Sequence, residues 1–370
     1  MAKKLLSLFW ECLKISLFVI GGGYAIIIVA DEVFSRKGWI REGELVDRLP
    51  IFQTIPGLIA THTAVYVGDR LAGGLGAFVG VLGMAIPSVA IFTFVSMGYS
   101  SLPLDSPLLA SAFLGLRSGL VGIIAAAIVR SWRKSLPDAF AYALLAAACV
   151  SLTVFGVNVV VVLAGAMALG LVSKLVPRRG GRLCSFSMLP FLLFLKYGAL
   201  CFGGGFVLVP MYLEDFVGPS AAWLQITEGE FANLMALTQM TPGPVGVNGA
   251  TFFGYRLFGV AGALLASFAL LLPGSLLCFA AMRSLERFQS SPVVKGIMRG
   301  VRPASVALML IALWAFAKMS VFTGPLGISP VSALIAVAAG VAVHSRKLNV
   351  MAVIFLSAIL GVLAGSLFAG

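Results

Sequence analysis

The chain has 370 residues, of which 60% are hydrophobic and 11% charged, with a net charge of +12. A soluble chain of this length would be about 25% charged, so the composition excludes an ordinary soluble domain. The Lys and Arg residues sit in short loops between apolar runs, as the positive-inside rule requires, and this excludes a nucleic-acid surface.

Taken in order, the first half offers apolar spans at about 5–30, 72–98, 107–129, 137–155 and 156–174. The second half offers about 187–210, 255–282, 303–317, 328–344 and 349–369. Long apolar runs of this kind indicate membrane helices. They do not alternate as β-barrel strands do. Lys3-Lys4 ahead of the first run resembles a signal peptide. Lys14 and a triple glycine interrupt that run and no A-x-A site follows, so a retained first helix is expected. Cys12, Cys149, Cys184, Cys201 and Cys278 show no paired spacing and no nearby His. They are expected to be small apolar residues in helices, with neither metal nor cofactor.

Two stretches, about 51–67 and 237–253, are too short and too polar for full spans. The second contains Gln239-Met240-Thr241-Pro242-Gly243-Pro244, and the first a weaker copy, Gln53-Thr54-Ile55-Pro56-Gly57-Leu58. Irregular backbone at membrane depth is tolerated only where protein or water covers it. Each stretch is therefore expected to be a re-entrant or broken helix.

Self-comparison joins these stretches into a repeat. An offset of 186 pairs Glu42-Gly43-Glu44 with Glu228-Gly229-Glu230, Gln53 with Gln239, and Pro56-Gly57 with Pro242-Gly243. The same offset pairs Arg70 with Arg256 and Pro87 with Pro273, while an offset of 185 pairs Arg117 with Arg302. An offset of 182 pairs Lys14 with Lys196 and Gly21-Gly22-Gly23 with Gly203-Gly204-Gly205. The expected organisation is a first repeat at 1–176, a basic cytoplasmic linker at 177–186 and a second repeat at 187–370.

Five spans per repeat would invert the second against the first. The charges agree with this: Arg36, Lys37, Arg41 and Arg48 follow the first span. The matching loop, Met211–Glu230, has no Lys or Arg and carries Glu214, Asp215, Glu228 and Glu230. The expected fold is thus an all-α polytopic membrane protein. It has two inverted-topology repeats, each of about five transmembrane helices plus one re-entrant or broken helix. In this threading both termini lie outside, and Lys3 and Lys4 run against the charge rule.

Lys14 and Lys196 stand near the middle of a span. A Lys there costs at least about 2.5–3.5 kcal/mol and needs a partner, water or a substrate. Glu11, one turn back, can serve Lys14; the matching position before Lys196 is Leu193. The triple glycines Gly21-Gly22-Gly23 and Gly203-Gly204-Gly205 allow a helix break or close packing. Pro244 suits the start of a helix, whose first amides (Val245 to Val247) would face an anion. Arg70 and Arg256 follow the Pro-Gly stretches near the membrane edge, where their planar forks suit an oxyanion or a headgroup. Gln53, Gln239, Thr241, Asn248 and His62, which matches Asn248, are polar groups near the helix ends. Each can donate to an anion or close an interhelical hydrogen bond. Thr227 with Glu230 reads as a capping box. Beyond capping, Glu228, Glu230, Glu42 and Glu44 are the candidate proton carriers.

These residues resemble the chromate ion transporter family. The resemblance rests on Phe202-Gly203-Gly204-Gly205, on Gln239 through Asn248, and on Gly254-Tyr255-Arg256 with Gly259, Gly262 and Pro273. It covers nearly the whole chain, in a two-domain form. It implies efflux of chromate, a tetrahedral dianion similar to sulfate, across a bacterial inner membrane, driven by an ion gradient. The first half departs from the pattern, with Leu58 in place of the second Pro and His62 in place of Asn248.

Repeats, broken helices and intramembrane cations lead separately to a secondary transporter with its site between repeats at the midplane. No nucleotide-binding motif is present, and no enzyme is expected. An anion channel and a lipid-handling protein remain the alternatives. The expected partners are a small inorganic oxyanion and membrane lipids, and a homodimer stays open.

Overall fold

The computed structural model describes residues 2–19, 23–53, 55–99, 106–172, 190–202, 205–217, 224, 226–282, 291–322, 329–345 and 350–368. Among them are fourteen α-helices and no strand. The first half holds α1 (Ala2–Phe18), α2 (Gly23–Arg36), α3 (Glu44–Phe52), α4 (Ile59–Tyr99), α5 (Pro107–Ser135), α6 (Ala139–Thr153) and α7 (Val159–Val172). The second holds α8 (Pro190–Leu200), α9 (Leu208–Phe216), α10 (Glu228–Met240), α11 (Val245–Met282), α12 (Pro292–Ser320), α13 (Pro330–His344) and α14 (Val350–Phe368). By length and composition α4, α5, α11 and α12 can cross a membrane. Large apolar side chains such as Phe78, Phe94, Leu264 and Leu334 stand exposed, as a lipid-facing surface requires.

The run at 5–30 is not one span. Lys37 Nζ lies 2.8 Å from Glu11 Oε1 and 3.5 Å from Ser7 Oγ. In a continuous helix residues 11 and 37 would stand about 39 Å apart, so α2 folds back along α1. Hydropathy is the same for a hairpin and for a span, which is why the sequence concealed the turn. The fold-back brings Lys3 and Lys4 to the end that carries Arg36 and Lys37, and their conflict with the charge rule disappears. The run at 187–210 is also two helices: the Lys196 ammonium lies 3.5 Å from Asp215, and the Tyr197 and Tyr212 rings are 5.0 Å apart. Gly21, Gly22, Gly203 and Gly204, and the whole 177–186 linker, lie outside the described residues.

Helix α4 is two antiparallel arms. At Ala72 (φ −154°) and Gly73 (φ 60°, ψ −150°) the backbone leaves the helix. Gly68 then packs on Gly76, and a Cβ added to Gly80 would come within 2.9 Å of the Ala64 carbonyl. Helix α11 does the same at Phe258 (φ −143°) and Gly259 (φ 62°, ψ −148°), with Gly254 on Gly262. A φ near +60° is cheap only for glycine. The second arms, 74–99 and 260–282, run antiparallel to each other, since Gly74 lies against Phe279 at the far end of α11.

The first arm of each pair closes a re-entrant hairpin. Glu44 at the start of α3 binds Tyr66 and Arg70 at the end of the first arm of α4. Glu230 likewise binds Arg256 at 2.9 Å. Each Pro-Gly stretch is therefore the inner tip of a hairpin with both ends at one side. Gly57 (φ 121°) and Gly243 (φ 96°) make the tip turns.

His62 and Asn248 staple these tips. His62 Nδ1 lies 3.1 Å from the Phe52 carbonyl and Nε2 lies 3.2 Å from that of Pro56. Asn248 Nδ2 donates to the carbonyls of Thr238 (3.2 Å) and Pro242 (3.5 Å), at the same offset of 186. The structure thus fits the interhelical hydrogen bond better than a free donor at both positions. His62→Asn is expected to fold and transport near wild type, because Asn already serves the second tip. A neutral imidazole has a single N–H to give, so His62→Leu strands one buried carbonyl at about 1–3 kcal/mol. Thermal unfolding in detergent distinguishes them; equal melting temperatures would refute the staple.

The two halves interlock. α5 packs on α13 and α14, and α12 on α6 and α7. Small residues permit these crossings: the Gly170 Cβ position lies 2.8 Å from Gly300 Cα, and that of Gly119 faces Ser357.

Candidate functional site

The tips meet the other half at the middle of the bundle. Gly57 packs on Gly274 so closely that a Cβ on Gly57 would be 2.8 Å from the Gly274 Cα, and the Gly57 amide donates to Cys201 O at 2.7 Å. Gly243 packs on Ser88, beside Ser16. Ser88 follows Pro87 just as Gly274 follows Pro273. Each tip is therefore seated on the proline step of the opposite second arm.

Behind each tip a helix begins, with its N-terminus at this depth. Thr61 and His62 donate back to Leu58 O (3.0 and 3.1 Å), so the amides of Ile59 and Ala60 have no acceptor within the helix. Val247 and Asn248 donate back to Pro244 O (2.9 and 3.1 Å), which leaves Val245 and Gly246 in the same state. The Val247 amide is thus spent inside the turn, and the free pair is Val245 and Gly246. Two helix N-termini, each equivalent to roughly +0.5 charge, thus begin side by side, Leu58 of one packing on Gly246 of the other.

Three further groups stand at the tips. The Ser88 hydroxyl is fully buried and has no hydrogen-bond partner; the Asn248 Oδ1 is buried and unpartnered as well, but as an acceptor it calls for a donor and not an anion. A buried polar atom without a partner costs free energy and points to an absent one. Gly205 stands over the start of α11, where an added Cβ would lie 3.0 Å from the Gly246 amide nitrogen. Only a residue without a side chain leaves that amide open. Gly205→Ala is expected to fold normally, since Gly205 has no left-handed φ, and to weaken oxyanion binding by about tenfold through loss of the amide. Isothermal titration with chromate checks it; unchanged affinity would show that the Gly246 amide binds nothing.

The cations stand in ion pairs. Lys14 lies 2.8 Å from Glu11, which also holds Lys37. Lys196 has a partner that spacing did not reveal, Asp215 on α9, itself bonded to the Tyr197 hydroxyl. Arg70 and Arg256 occupy opposite ends of the antiparallel second arms, each on the glutamate of its own hairpin. Of the acidic candidates, Glu44 and Glu230 are in these pairs, whereas Glu42 and Glu228 are exposed. Thr227 caps α10 through the Glu230 amide at 3.1 Å, and the Glu230 carboxylate goes to Arg256 rather than back to the cap. Asp31 caps α3 instead, accepting from the Gly43 and Leu45 amides at 2.7 Å each. Gln239 is buried beside the second tip, Thr241 donates to Leu237 O, and Gln53 ends α3.

Sequence reasoning missed Ser88, Ser16 and the surroundings of Arg117. A lone Ser in an apolar helix usually bonds to its own backbone; only the Pro87/Pro273 alignment marked this position.

A profile described as chromate transporter matches residues 6–171 and 189–362. A chromate transport protein of Pseudomonas aeruginosa is 26% identical, over 96% of this chain and 91% of that one. One from Cupriavidus metallidurans is 24% identical over 90% and 86%, respectively. An uncharacterized transporter of Methanocaldococcus jannaschii is 24% identical over 97% and 94%. No solved structure matches.

Proposed function

The chain belongs to the chromate transporter family, and from that premise we propose that it is a secondary active carrier of a tetrahedral oxyanion. The substrate is chromate, moved out of the cell at the expense of a proton gradient, with sulfate as a second substrate. The observation that carries this reading is the pair of re-entrant tips. Leu58, at the start of one helix, packs on Gly246 of the other, and Gly243 packs on the unpartnered Ser88 hydroxyl. Directional donors and fixed partial charges without a competing carboxylate suit a dianion. Lys196 and Lys14 add positive charge from their hairpins. Gln239, Thr241 and the Pro-Gly turns hold the tips in shape.

Inversion of the two repeats supplies two equivalent mouths, at the Glu44–Arg70 and Glu230–Arg256 ends. Rocking one tip-bearing unit against the other opens the centre to one mouth at a time. Glu44 and Glu230 carry the coupling proton, since protonation would release Arg70 or Arg256 to the anion. The end with Arg36, Lys37 and Arg41 is cytoplasmic, in the inner membrane of a bacterium.

The test is flux of radiolabelled chromate and sulfate in proteoliposomes of purified protein, with and without an imposed pH gradient. Saturable chromate flux that responds to the gradient is expected. Non-saturating flux indifferent to the gradient would make the protein a channel, and no flux of either anion would refute the reading.

A further inference from the structure

We propose that a cavity at the outer end of the α10 hairpin is a second oxyanion subsite, built on Arg117; this rests on the transport reading above and adds to it a station at the outer mouth. The cavity has a volume of about 530 Å³ and is lined by Tyr99 at the end of α4, by Ser111 and Arg117 of α5, and by Gly229, Glu230 and Asn233 of α10.

Arg117 differs from the other cations at membrane depth. Lys14, Arg70, Lys196 and Arg256 each meet a carboxylate. Among the described residues Arg117 is in no ion pair; its Nε donates to the neutral Asn233 Oδ1 at 2.7 Å. The carboxylate that shares the cavity, Glu230, is held by Arg256 at 2.9 Å. The terminal nitrogens of Arg117 lie 3.5 and 3.6 Å from where a Gly229 Cβ would stand, so the missing side chain leaves room for the guanidinium against the first turn of α10. That fork can take two oxygens of one anion.

A second observation points to the same ligand. Tyr99 is 3% exposed and lines the cavity, and its hydroxyl, beside the Asn233 side chain, donates to no acceptor. It is a buried donor without an acceptor, next to a cation without an anion. The first turn of α10 adds its partial positive charge. An unpaired guanidinium, a free hydroxyl and a helix N-terminus suit a compact oxyanion with several acceptor oxygens. They do not suit a cation or an apolar ligand.

The opposite mouth lacks this arrangement. There Glu44 accepts from Tyr66 and Arg70, Arg48 stands 3.8 Å away, and Phe252 replaces Tyr66 at the matching place in the second half. Arg302, the counterpart of Arg117, is exposed. The subsite therefore serves one side only, and its loss acts on one direction of flux.

The experiment is saturable chromate flux in proteoliposomes of the full chain, measured in both directions for wild type, Arg117→Gln, Arg117→Lys and Tyr99→Phe. Folding is checked by thermal unfolding in detergent. Arg117→Gln is expected to raise KM about tenfold for entry from the α10 side, with kcat and the opposite direction nearly unchanged. Arg117→Lys should recover part of this, and Tyr99→Phe should raise the same KM severalfold without altering the cation. Unchanged KM in folded Arg117→Gln and Tyr99→Phe, with wild-type flux intact, overturns the subsite alone. Absence of wild-type flux overturns the transport reading, and the subsite with it. Should Arg117→Gln fail to fold, Tyr99→Phe decides by the same KM.

Discussion

Replacing Gly274 by alanine is expected to abolish transport and to lower the melting temperature. Gly274 lies in the second arm of α11, after Pro273. A Cβ there would sit 2.6 Å from the Gly57 Cα and 2.8 Å from the Pro56 carbonyl oxygen. Both are backbone atoms, so no rotamer change relieves the overlap. Alanine in a helix otherwise gains up to about 1 kcal/mol over glycine, and overpacking costs about 1–3 kcal/mol. Two backbone overlaps put the balance on the side of loss. If the tip yields, the start of α4 is pushed from the centre and the anion loses one helix end. Gly98 is the control: it is helical with nothing within 4 Å of its Cβ position, and Gly98→Ala should be neutral or stabilising. Gly274→Ala with wild-type flux and melting temperature would show that the tip is not clamped there.

Lys196→Met is expected to stop transport and also to destabilise the protein, because it strands Asp215. The side chains of the pair are 33% and 17% exposed. The cost should exceed the ~0–1 kcal/mol of an exposed pair and fall short of the ~3–5 kcal/mol of breaking a buried one. Tyr197, whose hydroxyl donates to Asp215, softens the loss. The double variant Lys196→Met with Asp215→Asn removes the stranded charge and should restore the melting temperature. Transport should stay lost if the ammonium serves the anion. Recovery of both would assign Lys196 to the fold alone and move the positive charge of the site to the helix ends.

Some of this was legible in the residues. Composition identified a membrane protein, because 11% charge cannot cover a soluble surface of this size, and long runs without alternation made it helical. The Pro-Gly stretches announced re-entrant tips, since polar, helix-breaking sequence at depth must be buried by protein. Pro244 gave the start of α11 to within one residue. The alignment of His62 with Asn248 was visible, but their shared task was not. It depends on carbonyls ten residues away in chain, presented only once the hairpin closes. The hairpins at α1–α2 and α8–α9 were hidden for a different reason. Apolar runs look alike whether the chain continues or turns, and the triple glycine allowed either. Asp215 lies outside any helical spacing from Lys196, so periodicity had no means of pairing them. Arg117 and Tyr99 converge from two helices onto a third, which no linear pattern encodes.

The most direct measurement on the central site is anomalous scattering from chromium in crystals grown with chromate. The expected peak lies between the tips, within about 3–4 Å of the Val245 and Gly246 amide nitrogens and the Ser88 hydroxyl, and at equal chromate is weaker in Gly205→Ala. Chromium found only at the membrane-edge arginines, with the space between the tips empty, would contradict a binding site at the helix ends.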